Sequence, residues 1–178
     1  MIKVVDTKIN GVKIIEPQIH LDSRGYFLET YNQNEFHKKI GKINFVQDNE
    51  SKSSFGVLRG IHFQKEPFEQ SKLIRVIKGE IQDIAVDLRK ESSNYLNYVS
   101  VNLNEDNKKQ LFIPKGFGHA FLVLSEEAII TYKVDEFYKP KYESSINFND
   151  SRLNIKWKLE HDQIILSEKD KDTKLNEG

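Results

Sequence analysis

An arginine and a histidine stand inside an apolar run, Val57-Leu58-Arg59-Gly60-Ile61-His62-Phe63-Gln64. A run of this composition buries at least one face, so its guanidinium and imidazole need partners or a cavity to point into. A second histidine, His119, is delivered to the start of another apolar run by the turn Pro114-Lys115-Gly116-Phe117-Gly118. His20, His37 and His161 lie in polar neighbourhoods. A lone His on an apolar strand is ordinarily a core residue satisfied by one hydrogen bond, but the rest of the chain argues for a lined interior. Strict strand alternation places Arg59 and His62 on opposite faces. A bulge at Gly60 would re-aim one of them so that both enter.

The elements that must position these side chains read as short strands. Residues 2–8 and 12–19 flank Asn10-Gly11, a tight hairpin turn, and Asp22-Ser23-Arg24-Gly25 turns into the aromatic strand Tyr26 to Tyr31. Asn32 to Ile40 carries the one clear helical signal, with Asn32 or Asn34 to cap it, Phe36 and Ile40 on one face and Gly41 to end it. Gln47-Asp48-Asn49 leaves the apolar Phe45-Val46 as a loop entry, and Glu50 to Phe55 continues as a polar loop. Runs 72–78 and 81–88 meet at Gly79, with Asp83 and Asp87 on one face of the second. Further runs occupy 98–103, 111–114, 120–124 and 128–134. Many short strands with one or two helical segments predict an all-β fold, a jelly-roll barrel in one domain spanning residues 1–178. The charged end, about 171–178, is expected to be loose.

Composition narrows the function. Lys+Arg and Asp+Glu are both 27 in 178 residues, so no global charge draws the chain to nucleic acid or an anionic membrane, and an anionic ligand needs a local cluster. Without cysteine there is no disulfide framework, thiolate nucleophile or thiolate metal site. No stretch reads as a signal peptide or membrane span, and a cytoplasmic location is expected.

Inward histidines in a jelly-roll barrel suggest a metal-binding cupin. Such proteins usually carry an H-x-H pair with a nearby Glu, then a second His after a P-x-G turn. The second half is present here as Pro114-x-Gly116-x-x-His119, but the position two after His62 is Gln64. One His on each strand is a poor transition-metal site, so the interior is expected to work without metal or other cofactor.

A set of motifs in order carries a family resemblance. Asp22-x-Arg24-Gly25, Gln47-Asp48-Asn49, Arg59-Gly60-Ile61-His62-Phe63-Gln64, Lys72, Ile113-Pro114-x-Gly116-Phe117-x-His119, Tyr132-Lys133 and Leu166-Ser167-x-Lys169-Asp170 together resemble the dTDP-4-dehydrorhamnose 3,5-epimerase family. The resemblance implies a cupin-like, dimeric, metal-free enzyme that inverts C3 and C5 of a dTDP-linked 4-keto-6-deoxyhexose in dTDP-L-rhamnose biosynthesis. It implies His62 as base, Asp170 as the carboxylate that orients it, Lys72 as the cation at the enolate, and Tyr132 as the acid on the opposite face. Arg59 and His119 would sit near the keto-sugar. Arg24, Glu29, Gln47, Asp48, Asn49, Glu143 and Lys169 resemble residues that bind the nucleotide and its diphosphate, and Tyr138 the ring that stacks on thymine. Exchange of N-terminal strands in a homodimer would bring Arg24 to the partner's site.

Other accounts compete. Ser167-x-x-Asp170 also fits a helix cap, Lys72 a solvent-facing strand start, and Tyr132 an ordinary strand aromatic. At the level of function the rivals are an epimerase of one position only, a non-catalytic sugar-nucleotide-binding barrel, and a metal-dependent cupin.

Overall fold

The computed structural model describes residues 2–171. In chain order its strands are β1 (Ile2–Asp6), β2 (Lys13–Pro17), β3 (Ile19–Asp22) and β4 (Gly25–Leu28). Helix α1 (Gln33–Lys39) precedes β5 (Gln47–Ser54), β6 (Leu58–Gln64), β7 (Lys72–Lys78) and β8 (Glu80–Asp87). Then come β9 (Tyr98–Asn104), β10 (Gln110–Ile113), β11 (Phe117–Val123), β12 (Glu127–Val134), β13 (Glu143–Ser145) and helix α2 (Glu168–Lys171). None of the helices among the described residues is long and apolar enough to cross a membrane.

Two antiparallel sheets face one another, one ordered β1-β2-β10-β7-β12-β5 and the other β13-β6-β11-β8-β9. Alternation sends Ile74, Val76 and Ile130 inward from the first, and Ile81, Ala85 and Phe121 from the second, to form the central core. Ile146 and Leu153 cover Ile61, Ile84 and Ala120 on the outside of the smaller sheet. On the outside of the larger sheet α1 lays Phe36 over Leu73 and Phe112. Asn32 caps that helix by accepting from the N–H groups of Asn34 and Glu35, and full burial of Phe36 contributes about 2–3 kcal/mol. The all-β, cupin-like sandwich with two short helices is therefore the predicted fold. The tail expected to be loose falls almost wholly beyond residue 171, outside the described residues.

Two local readings are corrected. The polar stretch 47–54, expected to be loop, is strand β5, paired along its length with β12 from Gln47↔Val134 to Ser54↔Glu127. It lacks the apolar alternation of a strand because its inward side chains, including Asn49 and Ser51, face a polar cavity instead of the core. The aromatic strand expected from Tyr26 to Tyr31 is shorter, β4 ending at Leu28; Tyr26 and Phe27 are exposed, and among the described residues β4 pairs only with β3 in a separate two-stranded ribbon.

The kink anticipated at Gly60 is present. His62 pairs with His119 and Arg59 with Phe121, so β6 carries one residue more than β11 across this interval. Gly60 has φ +131°, and a Cβ there would lie 2.4 Å from the Ala120 Cβ and 2.6 Å from the His119 carbonyl oxygen. Only glycine fits, and the bulge it permits turns Arg59 and His62 into the same cavity.

Candidate active site

The cavity opens between the sheets and has a volume of about 520 Å³. The bulged strand β6 supplies Arg59 and His62, β7 supplies Lys72, β11 supplies His119 and Phe121, β12 supplies Tyr132, and the C-terminal segment supplies Ser167, Lys169 and Asp170. A second lobe of about 340 Å³ shares His62, Lys72 and Tyr132, and adds Gln47, Asn49, Gln64, Tyr138 and Glu143. His62 and Tyr132 come from opposite sheets, and Lys72 lines both lobes with them.

Two His–Asp pairs border this space, the second reaching it through its histidine. His62 Nε2 lies 2.6 Å from Asp170 Oδ1. Asp170 arrives from the far end of the chain because the segment before it is sewn to β6: Leu58 N–H donates to the Ile165 carbonyl at 2.9 Å, and Ile165 N–H to that of Gly56 at 2.8 Å. The Asp170 N–H donates to Ser167 Oγ at 3.2 Å, so the capping motif exists, while the carboxylate also serves the imidazole. Burial raises the Asp170 carboxyl, but the hydrogen bonds from His62 and Ser167 and the attraction of His62 and Lys169 together outweigh it and leave the group below its ordinary range. In the second pair His119 Nε2 lies 2.5 Å from Asp83 Oδ1. Burial, against the pull of Asp83, holds His119 below the ordinary histidine value and therefore neutral near pH 7.

Lys72 is not the solvent-facing lysine that a strand start ordinarily supplies. Burial pushes its ammonium down to about 8, with Asp83 and Glu143 resisting. The Tyr132 phenol is pushed up by burial and drawn back by the Arg59 charge, so it is held as a protonated acid. Arg59 itself is steadied by its Nε, which donates to Ser53 Oγ at 3.0 Å. Across the second lobe Lys169 Nζ meets Glu143 Oε1 at 2.6 Å, and the Tyr138 hydroxyl donates to Glu143 Oε2 at 2.7 Å. Gln47 donates to Asn49 Oδ1 at 2.7 Å on the same wall.

The structure thus brings together His62, Lys72, Tyr132, Asp170, Arg59, His119, Lys169, Gln47, Asn49, Tyr138 and Glu143. Three predicted residues stay outside. Asp48, between Gln47 and Asn49 on β5, faces the other side of the sheet and pairs with Lys133 at 2.5 Å. Arg24, at the tip of the β3–β4 ribbon, is exposed and bound to Asp22, and Glu29 accepts from Asn32 Nδ2 at 3.1 Å. Sequence reasoning passed over Asp83 as a site residue; its signal was an acidic side chain sharing the inward face of an otherwise apolar strand with Ala85. It also missed Ser51 and Ser53, small hydroxyls with no signal of their own. Gln64 is consumed structurally: it donates to the Phe68 carbonyl at 2.6 Å and accepts from the Lys139 N–H at 2.5 Å. Among the described residues no three His, Asp or Glu side chains converge as a metal site.

The model of one protein family, described as dTDP-4-dehydrorhamnose 3,5-epimerase, matches residues 6–177. A curated relative, the dTDP-4-dehydrorhamnose 3,5-epimerase of Methanothermobacter thermautotrophicus, is 49% identical over 173 residues, covering 97% of this chain and 93% of that protein. The crystal structure of a dTDP-6-deoxy-D-glucose-3,5-epimerase from Legionella pneumophila in complex with dTDP-4-keto-L-rhamnose aligns with a TM-score of 0.94 at 42% identity, over 97% of this chain and 92% of that one. The dTDP-4-dehydrorhamnose 3,5-epimerase of Bacillus anthracis, with TDP and PPi bound, aligns with a TM-score of 0.95 at 41% identity, over 98% and 99%.

Proposed function

The chain belongs to the dTDP-4-dehydrorhamnose 3,5-epimerase family, and from that premise we propose how its cavity carries out the reaction. The activity inverts C3 and C5 of dTDP-4-dehydro-6-deoxy-D-glucose to give dTDP-4-dehydro-L-rhamnose. The 4-ketone acidifies the C–H bond on either side of it. Inversion then requires a base on one face of the sugar, an acid on the other, and a cation at the enolate oxygen between them.

The observation that carries this reading is the placement of His62 and Tyr132 on opposite sheets across one cavity, with Lys72 lining it beside both. His62, its Nε2–H held by Asp170, takes the proton at Nδ1. Asp170 fixes the tautomer and stabilises the imidazolium that forms. The Lys72 ammonium meets the developing charge on O4, with Arg59 and His119 Nδ1 beside the ring. Tyr132, kept protonated by burial, returns a proton to the opposite face. The second lobe takes the nucleotide: Tyr138 stacks on the base, Gln47 and Asn49 bind polar atoms, and Lys169 turns from Glu143 to the diphosphate.

The same reading makes the chain a homodimer. The β3–β4 ribbon leaves Leu21 81% and Phe27 69% exposed, more apolar surface than a free two-stranded ribbon is expected to display. Packed over the cavity of a second copy it buries these residues, and it brings Arg24 and Glu29 to the nucleotide lobe from which they are missing within one chain. A cytoplasmic location belongs to this proposal as well.

The test is proton NMR of the metal-stripped protein with dTDP-4-dehydro-6-deoxy-D-glucose in deuterated water. Deuterium is expected at C3 and C5, with rhamnose-configured product trapped by a downstream reductase. Exchange at one position alone would replace the reading by a single-position epimerase, and tight binding without exchange by a sugar-nucleotide-binding protein.

A further inference from the structure

Asp83 lies on the inward face of β8, is 0% exposed, and is absent from the cavity lining. Its Oδ1 accepts from His119 Nε2, and its Oδ2 is equally buried with no hydrogen-bond partner among the described residues. A buried carboxylate oxygen without a donor is costly and calls for an opposing charge. The opposing charge is on β7, in the facing sheet: of the charges that favour the Lys72 ammonium, Asp83 acts most strongly and Glu143 next. Glu143 is already bound to Lys169 and Tyr138, whereas the hydrogen bond from His119 to Asp83 comes from a neutral ring.

We propose that Asp83 is a positioning residue with two tasks, fixing the His119 ring through Nε2 and supplying the buried counter-charge that keeps Lys72 an ammonium beneath the sugar. The second task rests on the role given to Lys72 above. Each element around Lys72 presents charged or titratable groups: Arg59 and His62 from β6, Asp83 from β8, His119 from β11, Tyr132 from β12, Glu143 from β13, and Lys169 and Asp170 from the C-terminal segment. Burial opposes the charge on Lys72 and leaves it titrating at about 8. Since the charged form is the useful one, activity is present below that value and lost as the pH rises through it. Without the charge of Asp83 the same loss moves to lower pH, by about one unit or more.

Asp83→Asn separates the two tasks, because the amide oxygen still accepts from His119 while the charge is gone. The first readout needs no substrate: the Lys72 Cε resonance of 13C-labelled protein is followed against pH. A wild-type midpoint near 8, lowered by about one unit or more in D83N, is the expected result. An unmoved or raised midpoint overturns the proposal. The second readout is the pH profile of C5 deuterium exchange, whose alkaline limb is expected to move with the midpoint while KM changes little. A uniform loss of rate with an unmoved limb would make Asp83 merely structural. If D83N does not fold, the wild type carries the test: the Asp83 carboxyl carbon must inflect at the Lys72 midpoint, and a flat trace overturns the pairing. If the wild type shows no exchange while the Lys72 midpoint still shifts in D83N, the epimerase role of Lys72 fails and the charge pairing stands.

Discussion

The two His–Asp pairs face one another across the β6–β11 ladder, His62 directly opposite His119. Their contacts are nearly alike, 2.6 Å for His62 to Asp170 and 2.5 Å for His119 to Asp83. Their access is not. The His62 side chain is 30% exposed, that of His119 8%. One carboxylate is brought in by a C-terminal segment hydrogen-bonded over β6, and the other grows from the middle of the sheet. Equal chemistry in unequal surroundings gives unequal work: the half-open ring can pass a proton to a ligand, whereas the sealed ring can only hold its place and offer a lone pair.

Substitutions that treat the two rings alike should therefore give opposite outcomes. His62→Ala is expected to lower turnover by about 10³-fold or more, yet to cost only about 1 kcal/mol in urea denaturation, because water can enter to solvate Asp170. His119→Ala is expected to do the reverse in kind, costing about 3 kcal/mol of stability because Asp83 is left charged and sealed in. Equal stability losses for the two would erase the distinction. Asp170→Asn should lower kcat by about 10²-fold with KM nearly unchanged if it acts through His62, as proposed. A change confined to KM would move Asp170 to a binding role. Gly60→Ala tests what both pairs share. Its Cβ would collide with Ala120 and with the His119 carbonyl at a backbone angle unfavourable to alanine, so a stability loss of about 2 kcal/mol is expected, read as a fall of about 5 °C in Tm.

Much of this was legible in the residues. Asn10-Gly11, the Asn32 cap and Phe36 marked the first hairpin and α1, and Gly60 between Arg59 and His62 announced the bulge, because strand alternation permits no other way for both to share a cavity. Two things were hidden for physical reasons. Strand β5 turns polar groups inward, so the pattern that normally reveals a strand was reversed along Asn49, Ser51 and Ser53. The sealed pair left a trace only in Asp83, a carboxylate on an apolar strand, whose partner His119 lies 36 residues away in sequence. Arg24 and Glu29 were read as site residues, but within this chain they pair with Asp22 and Asn32 away from the cavity; the proposed homodimer is what would give them a place in a site.

The central claim is that His62 and Tyr132 work on opposite faces of one sugar ring. The most direct measurement compares Tyr132→Phe with His62→Ala, following by NMR in deuterated water both deuterium entry at C5 and the configuration there. The account predicts that the Tyr132 variant still exchanges but returns the proton to the face it left, with net inversion lost, while the His62 variant shows neither exchange nor inversion. Retained exchange in the His62 variant, or loss of exchange together with inversion in the Tyr132 variant, would contradict it.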